Sequence, residues 1–264
     1  MSMWGKVQIL LVVFISAFLS GFAQVRVGKL TIKPNEVYSL GESDILVADT
    51  LIMMDNATIV LNQLKRENYI RADIAIIGDG CTINGHGIDG ASGRNGRNGD
   101  TPIGPCRDGE DARNGSKGLD GGNGINLFLY FGELRVSGRC TIDLSGGNGG
   151  NGGNGGNGGG GGPGTLHCQG GDGGNGGHGG GGGNGGNGGI LTVSCIKCVD
   201  IRALVSKNVV LRNGGGSFGF GGTAGYAGAP GLAPHYKNGA KGVFGSDGPS
   251  GIPGEKGGLN FEIN

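Results

Sequence analysis

Six cysteines and four histidines are the side chains of this 264-residue chain with the most chemistry to offer. Cys195-Ile-Lys-Cys198 has the spacing of a redox dithiol or of half a zinc site. No second pair stands at zinc spacing, so a structural disulfide is expected. His86, His167, His178 and His235 are dispersed, and no metal is expected. Gly170-Gly171-Asp172 places a carboxylate in a glycine run, but the Gly-Gly-x-Gly-x-Asp register of a calcium site does not recur. G-x-G-x-x-G strings abound, yet none has the strand-to-helix context of a phosphate cradle. Asn56-Ala57-Thr58 and Asn114-Gly115-Ser116 match the N-glycosylation acceptor. No carboxylates cluster with Lys or Arg in a way that suits hydrolysis or elimination. The expectation is a protein that is not an enzyme and carries no cofactor.

The elements that would position these residues are unusual. Glycine contributes 67 residues, about a quarter of the chain against ~7% on average. Glycine brings no side chain to bury, so a conventional core can occupy only a fraction of the length. At the start, Lys6 precedes an apolar run from Ile9 to Leu19, and small residues follow at Ser20, Gly21 and Ala23. This reads as a secretory signal peptide over 1–23. The run is short for ~30 Å of hydrocarbon, and no later run could span a membrane, so no transmembrane segment is expected. Charge is balanced, with 21 Lys+Arg against 21 Asp+Glu. Neither nucleic acid nor an acidic membrane surface is suggested. An even number of cysteines bound for an oxidising compartment implies pairing.

β-like and glycine-rich blocks alternate. The β-like blocks are 24–84, 125–144, 190–212 and 259–263. Ala57-Thr58-Ile59 recurs as Cys81-Thr82-Ile83 and Cys140-Thr141-Ile142, and loosely as Val209-Val210-Leu211. Each copy follows a short polar turn, as in stacked rungs. Ile125, Leu127 and Leu129 alternate with polar or aromatic residues, so one face of that strand should point inward. Removing the glycine blocks joins the rungs into a short β-solenoid.

The glycine blocks are then three out-and-back excursions, 85–124, 146–189 and 213–258. Glycine recurs every third residue from Gly87 to Gly99 and from Gly216 to Gly231. The returning halves, Gly109 to Gly124 (with Ala112 in one slot) and Gly239 to Gly257, keep the same period. That is the period of the polyproline II helix, in which one side of each arm is bare enough for another backbone to bond to it. The middle excursion has glycine at two positions in three, with asparagine mostly at the third. It belongs in the centre with its asparagines outward, and excursions one and three belong outside. Arms of this length reach roughly 40–55 Å at ~3.1 Å per residue. The fold class is therefore all-β and irregular: a β-solenoid base with residues 85–264 forming a polyproline II (polyglycine II) bundle around interleaved rungs.

The turns between arms are 101–108, 163–169 and 232–238. Cys106 and Cys168 lie in neighbouring turns and are the best disulfide. Cys81 and Cys140 occupy equivalent places in successive rungs, where they stack or bond, which leaves Cys195 with Cys198. Ile103, Arg107, Leu166, His167, His235, Tyr236 and Lys237 are bulky or charged in turns that need only small residues. Excursion three carries Phe218, Phe220, Tyr226 and Phe244, an apolar flank opposite the charged excursion one. Tips and flank are the two candidate binding surfaces.

The G-x-y and G-G-N repeats with turns between them resemble the polyglycine II bundle proteins. These include glycine-rich springtail antifreeze proteins and the glycine-rich adhesins at phage long tail fibre tips. The resemblance covers the glycine blocks, about half the chain. It implies a hydrogen-bonded sheaf, disulfide-supported in the first group and carrying recognition tips in the second. The repeats are also similar to collagen, but the chain has only 8 prolines and its arms are interrupted. The expected function is a secreted, periplasmic or cell-surface binding module, adhesin-like or an accessory subunit of an envelope assembly, with a protein or surface-glycan partner. Ice binding and a carbohydrate-active solenoid enzyme are the alternatives.

Overall fold

The computed structural model describes residues 24–262. The expected leader, 1–23, and the last residue of the final expected rung, Ile263, lie outside the described residues. The chain is mostly β, with two parallel sheets and one short helix among the described residues. The first sheet contains β1 (Gln24–Ile32), β3 (Ile45–Met53), β5 (Glu67–Ile77), β7 (Asn126–Val136), β9 (Leu191–Cys195) and β11 (Leu259–Glu262), in that order. The second contains β2 (Val37–Ser39), β4 (Thr58–Val60), β6 (Cys81–Asn84), β8 (Cys140–Asp143) and β10 (Val209–Arg212). From β1 to β11 the chain alternates between the two sheets.

Side-chain alternation sets which face is buried. Leu46, Ile70, Leu127 and Leu191 from the first sheet meet Ile59, Ile83 and Ile142 from the second in a single core. The repeated triplets face one another: Thr58 lies opposite Thr82, and Thr82 opposite Thr141. Asn35, Asn56 and Gly80 take positive φ at the corner before β2, β4 and β6. Asparagine and glycine tolerate that conformation where other residues strain.

Inside the block 190–212, expected to be a β rung throughout, the structure has helix α1 (Ile201–Asn208). The Asp200 side chain accepts from the Ala203 N–H and caps it. Ile201, Leu204 and Val205 share one face, and Val205 is buried.

All three glycine-rich segments leave from the second sheet, after β6, β8 and β10, and all return into the first sheet, at β7, β9 and β11. The outward arms lie side by side in chain order, and so do the return arms. Gly93 N–H donates to Asn151 O and Gly152 N–H to Phe220 O, which joins the outward layer. Gly115 N–H to His178 O and Gly176 N–H to Val243 O join the return layer. The layers bond to each other in a zigzag through Arg113 N–H to Arg97 O, Gly150 N–H to Leu119 O, Gly180 N–H to Gly153 O, Gly216 N–H to Gly186 O and Gly248 N–H to Gly222 O.

Each layer continues a sheet. Cys81 lies opposite Cys140 in β6 and β8, and the first two outward arms keep the same 59-residue offset from Asp89 and Asn148 to Asn98 and Asn157. The return arms keep the 64-residue offset that β7 and β9 have at Leu127 and Leu191. Strands and arms thus share one register.

Candidate functional site

The asparagines of the central arm are exposed but not idle. In Gly152-Gly153-Asn154, Gly152 N–H bonds the third outward arm at Phe220 O and Gly153 N–H the first return arm at Ser116 O. Asn154 N–H donates to the Asn95 side chain at 2.8 Å, and the Asn154 side chain accepts from Thr223 N–H at 3.0 Å. The same bracket repeats through Asn148, Asn151 and Asn157 to Ser217, Phe220 and Tyr226. On the return face Asp108, Asp111, Asn114, Asp120 and Asn123 bracket the return arm of excursion two. Asp172, Asn175, Asn184 and Asn187 then bracket that of excursion three, with His178 Nδ1 taking the same role toward Ser246 N–H. The outward-facing asparagines expected from the repeat are therefore side-chain caps on the backbone of the next arm. At Gly181 the facing residue is Pro249, which has no N–H to cap.

The tips meet at one end. Cys106 is disulfide-bonded to Cys168, Cys106 N–H donates to Pro163 O, and Gly164 N–H donates to Leu232 O. This brings Ile103, Arg107, Leu166, His167, His235, Tyr236 and Lys237 to a common surface, and all of them are exposed. Ile103 is 96% exposed, Leu166 66% and Tyr236 59%. Leu232, also 66% exposed, joins them and was not singled out from the sequence.

The residues of the apolar flank do not form one ridge. Phe218 packs edge-on against Phe220 at 5.3 Å, and Tyr226 packs edge-on against Phe244 at 6.1 Å. Lys241 Nζ stands 4.7 Å from the centre of the Phe244 ring. Residues three apart in extended chain are roughly 10 Å apart, so Thr223 separates Phe220 from Tyr226 in the exposed row.

The Cys81–Cys140 bond is not formed, and both thiols are free and buried. In-register parallel strands hold equivalent Cβ atoms about 4.8 Å apart, wider than the ~3.8 Å of a disulfide. Burial pushes the Cys140 thiol up to about 12 and raises the Cys81 thiol as well, so both stay protonated. Cys195 and Cys198 are bonded to each other. Among the described residues, no three His, Cys, Asp or Glu side chains come together as a metal site, and no helix is long and apolar enough to cross a membrane.

No family model matches the chain, and no curated protein or solved structure matches it.

A concavity that the sequence did not reveal lies on the outer face of the first sheet. It holds about 350 Å³ and is lined by Arg71, Ala72, Asp73, Tyr130, Phe131, Gly132, Ser194 and Ile196. The ladder between β5 and β7 skips Asp73 and Gly132, passing from Ala72 opposite Phe131 to Ile74 opposite Glu133. A Cβ on Gly132 would sit 2.5 Å from Asp73 O, so only glycine fits this kink. Strand β9 ends at the same level. The chain turns aside through the Cys195–Cys198 bond, while Ile196 and Lys197 N–H hold on to Phe131 O and Gly132 O. Burial raises the Tyr130 phenol above its usual range, reinforced by the charge of Glu262 and a hydrogen bond to it. Tyr69, Phe128 and Tyr130 form a stacked row, with centroids 4.7 and 6.5 Å apart.

Proposed function

We propose that this chain is a secreted, non-enzymatic binding module, an adhesin-like protein or an accessory subunit of an envelope assembly. In this reading the two sheets are a short β-solenoid, and the glycine arms are a polyproline II sheaf that holds recognition tips away from it. The unbroken register between strands and arms supports that description. So does the central triplet Gly152-Gly153-Asn154, in which every N–H finds a partner. Disulfides at Cys106–Cys168 and Cys195–Cys198 suit an oxidising, extracytoplasmic destination.

The observation that carries the reading is the tip itself. Turns between arms need only small residues, yet Ile103, Leu166, Leu232 and Tyr236 stand in solvent at one clamped end. Exposed apolar groups gathered on a rigid support mark a contact surface. Arg107, Lys237, His167 and His235 stand in the same turns, so the partner is a protein or a surface glycan with polar groups around an apolar centre.

The test is capture from the envelope fraction of the producing cells by purified protein. His235→Ala with Tyr236→Ala should abolish capture and leave the melting curve unchanged. Retention of capture by that variant, with loss in Phe218→Ser plus Phe220→Ser, would move the site to the flank of excursion three.

A further inference from the structure

We propose that the groove beside Tyr130 is a second binding site, independent of the tips, for a neutral pyranose oligosaccharide. Its volume of about 350 Å³ falls at the small end of the ~300–1,000 Å³ typical of ligand pockets. Arg71 and Asp73 stand two residues apart on β5, both exposed and, among the described residues, neither with a side-chain partner. A guanidinium only donates and a carboxylate only accepts. Side by side they match adjacent hydroxyl groups, each of which can do both. A carboxylate or phosphate ligand would satisfy Arg71 and be repelled by Asp73, and a simple amine would suffer the reverse.

Apart from Ser194, the remaining walls are largely apolar. Tyr130 lines the groove close to the charge of Glu262, and Ile196, 68% exposed, lines it as well. A pyranose ring has the corresponding two-sided character, with C–H groups on its faces and hydroxyls at its edge. The Gly132 floor keeps the groove open where any side chain would collide with Asp73 O. From the groove, the row runs along β7 from Tyr130 to Phe128 and then across to Tyr69 on β5, so a ligand longer than the groove has a track to follow. That feature favours an oligomer over a free amino acid, whose two charges would otherwise suit Arg71 and Asp73.

Saturation-transfer NMR with cellotriose, maltotriose and mannotriose tests this on the full mature chain. At least one should receive saturation through its ring protons, at millimolar or better affinity. Arg71→Ala and Asp73→Asn should each weaken it at least tenfold without moving the melting curve. The pair His235→Ala and Tyr236→Ala should leave it unchanged, so loss of the tip function does not bear on the result. No transfer to any of the three sugars would overturn the proposal. So would stronger binding of digalacturonate or of free alanine, or an affinity that survives both groove variants.

Discussion

In the base, Ile59, Ile83 and Ile142 form one inward stack, and the sheets are held apart by the side chains they share. A few residues beyond Ile83 and Ile142, in the same chain passes, the inward line becomes glycine, and neighbouring backbones touch directly. The register does not change across that boundary; only the spacer disappears. Base and arms therefore use one winding to organise two kinds of cohesion. The base gains from apolar burial, roughly 25 cal/mol per Å². The arms gain from hydrogen bonds, each worth about 1 kcal/mol net, set against the high entropy cost of ordering glycine. Such cohesion must be dense. The central arms meet that need with triplets such as Gly152-Gly153-Asn154, in which every N–H has a partner, while the outer arms, with one glycine in three, present bulky side chains and end the stack.

The sharpest way to break this comparison is to add the same few atoms on each side. A Cβ at Gly152 would lie 2.0 Å from Gly180 O and 2.6 Å from its carbonyl carbon. Neither atom can rotate away, so Gly152→Val must force neighbouring arms apart and lose their bonds. The cost should reach at least the ~1–3 kcal/mol of an overpacked core and remove the arms from the cooperative transition seen by circular dichroism. Ile83→Val, in the base, should cost only ~0.5–1.5 kcal/mol. Asn154→Val should also fall well short of Gly152→Val, because it loses one exposed bracket and collides with no backbone. Equal melting of all three variants would mean that the arms are not packed as described.

The two disulfides give a second, smaller contrast. Cys106–Cys168 spans 62 residues and clamps two excursions, whereas Cys195–Cys198 spans three. Loop-closure entropy assigns about 4 kcal/mol to the first and about 2 kcal/mol or less to the second. Denaturant titration of Cys106→Ser with Cys168→Ser, against Cys195→Ser with Cys198→Ser, should show that order. Non-reducing peptide maps of the native protein should recover both pairs and leave Cys81 and Cys140 as thiols. A reversal of the order would indicate that the turn at Cys195 contributes more than closure, through the wall it builds at Ile196.

What could be read in the sequence was whatever repeats locally. The alternation of Ile125, Leu127 and Leu129 and the recurring Cys-Thr-Ile triplets mark strands because one strand is enough to display a period of two. Helix α1 is only eight residues long and sits in a block whose neighbours are β; its capping Asp200 was the available signal. The groove depends on Asp73 meeting Gly132 and on β9 stopping beside them. These coincidences join residues about 60 positions apart and leave no mark in either segment. The brackets were hidden for the same reason. Asparagine in a glycine repeat looks free until an arm 69 residues away presents an N–H to it.

The smallest effect separates base from arms by pH. In the base, Asn68 holds the backbone of Asn62 with a buried neutral amide, accepting at 2.8 Å and donating at 3.1 Å. In the arms the equivalent work falls in several places to carboxylates, and Asp120 is the clearest. Its oxygen accepts from Asn184 N–H at 2.8 Å and from Lys117 Nζ at 3.1 Å. The Asn184 bond, then Lys117, holds its carboxyl below the usual value of 3.8. A depressed folded-state pKa means that the ionised form favours folding. That contribution is present above the unfolded value and is lost as pH falls through the lower, folded one. Asp120→Asn keeps an oxygen for Asn184 N–H but gives up the charge. Its melting temperature should lie slightly below wild type at pH 7, and the difference should close as both are taken toward pH 2. Asp120→Ala gives up the oxygen as well, so its deficit should persist in acid. The group is exposed and screened by solvent, so the shifts are small and need low ionic strength to resolve. If Asp120→Asn stays equally far below wild type at every pH, the bracket works through shape and not charge. The arms would then be as indifferent to acid at this position as the base is at Asn68.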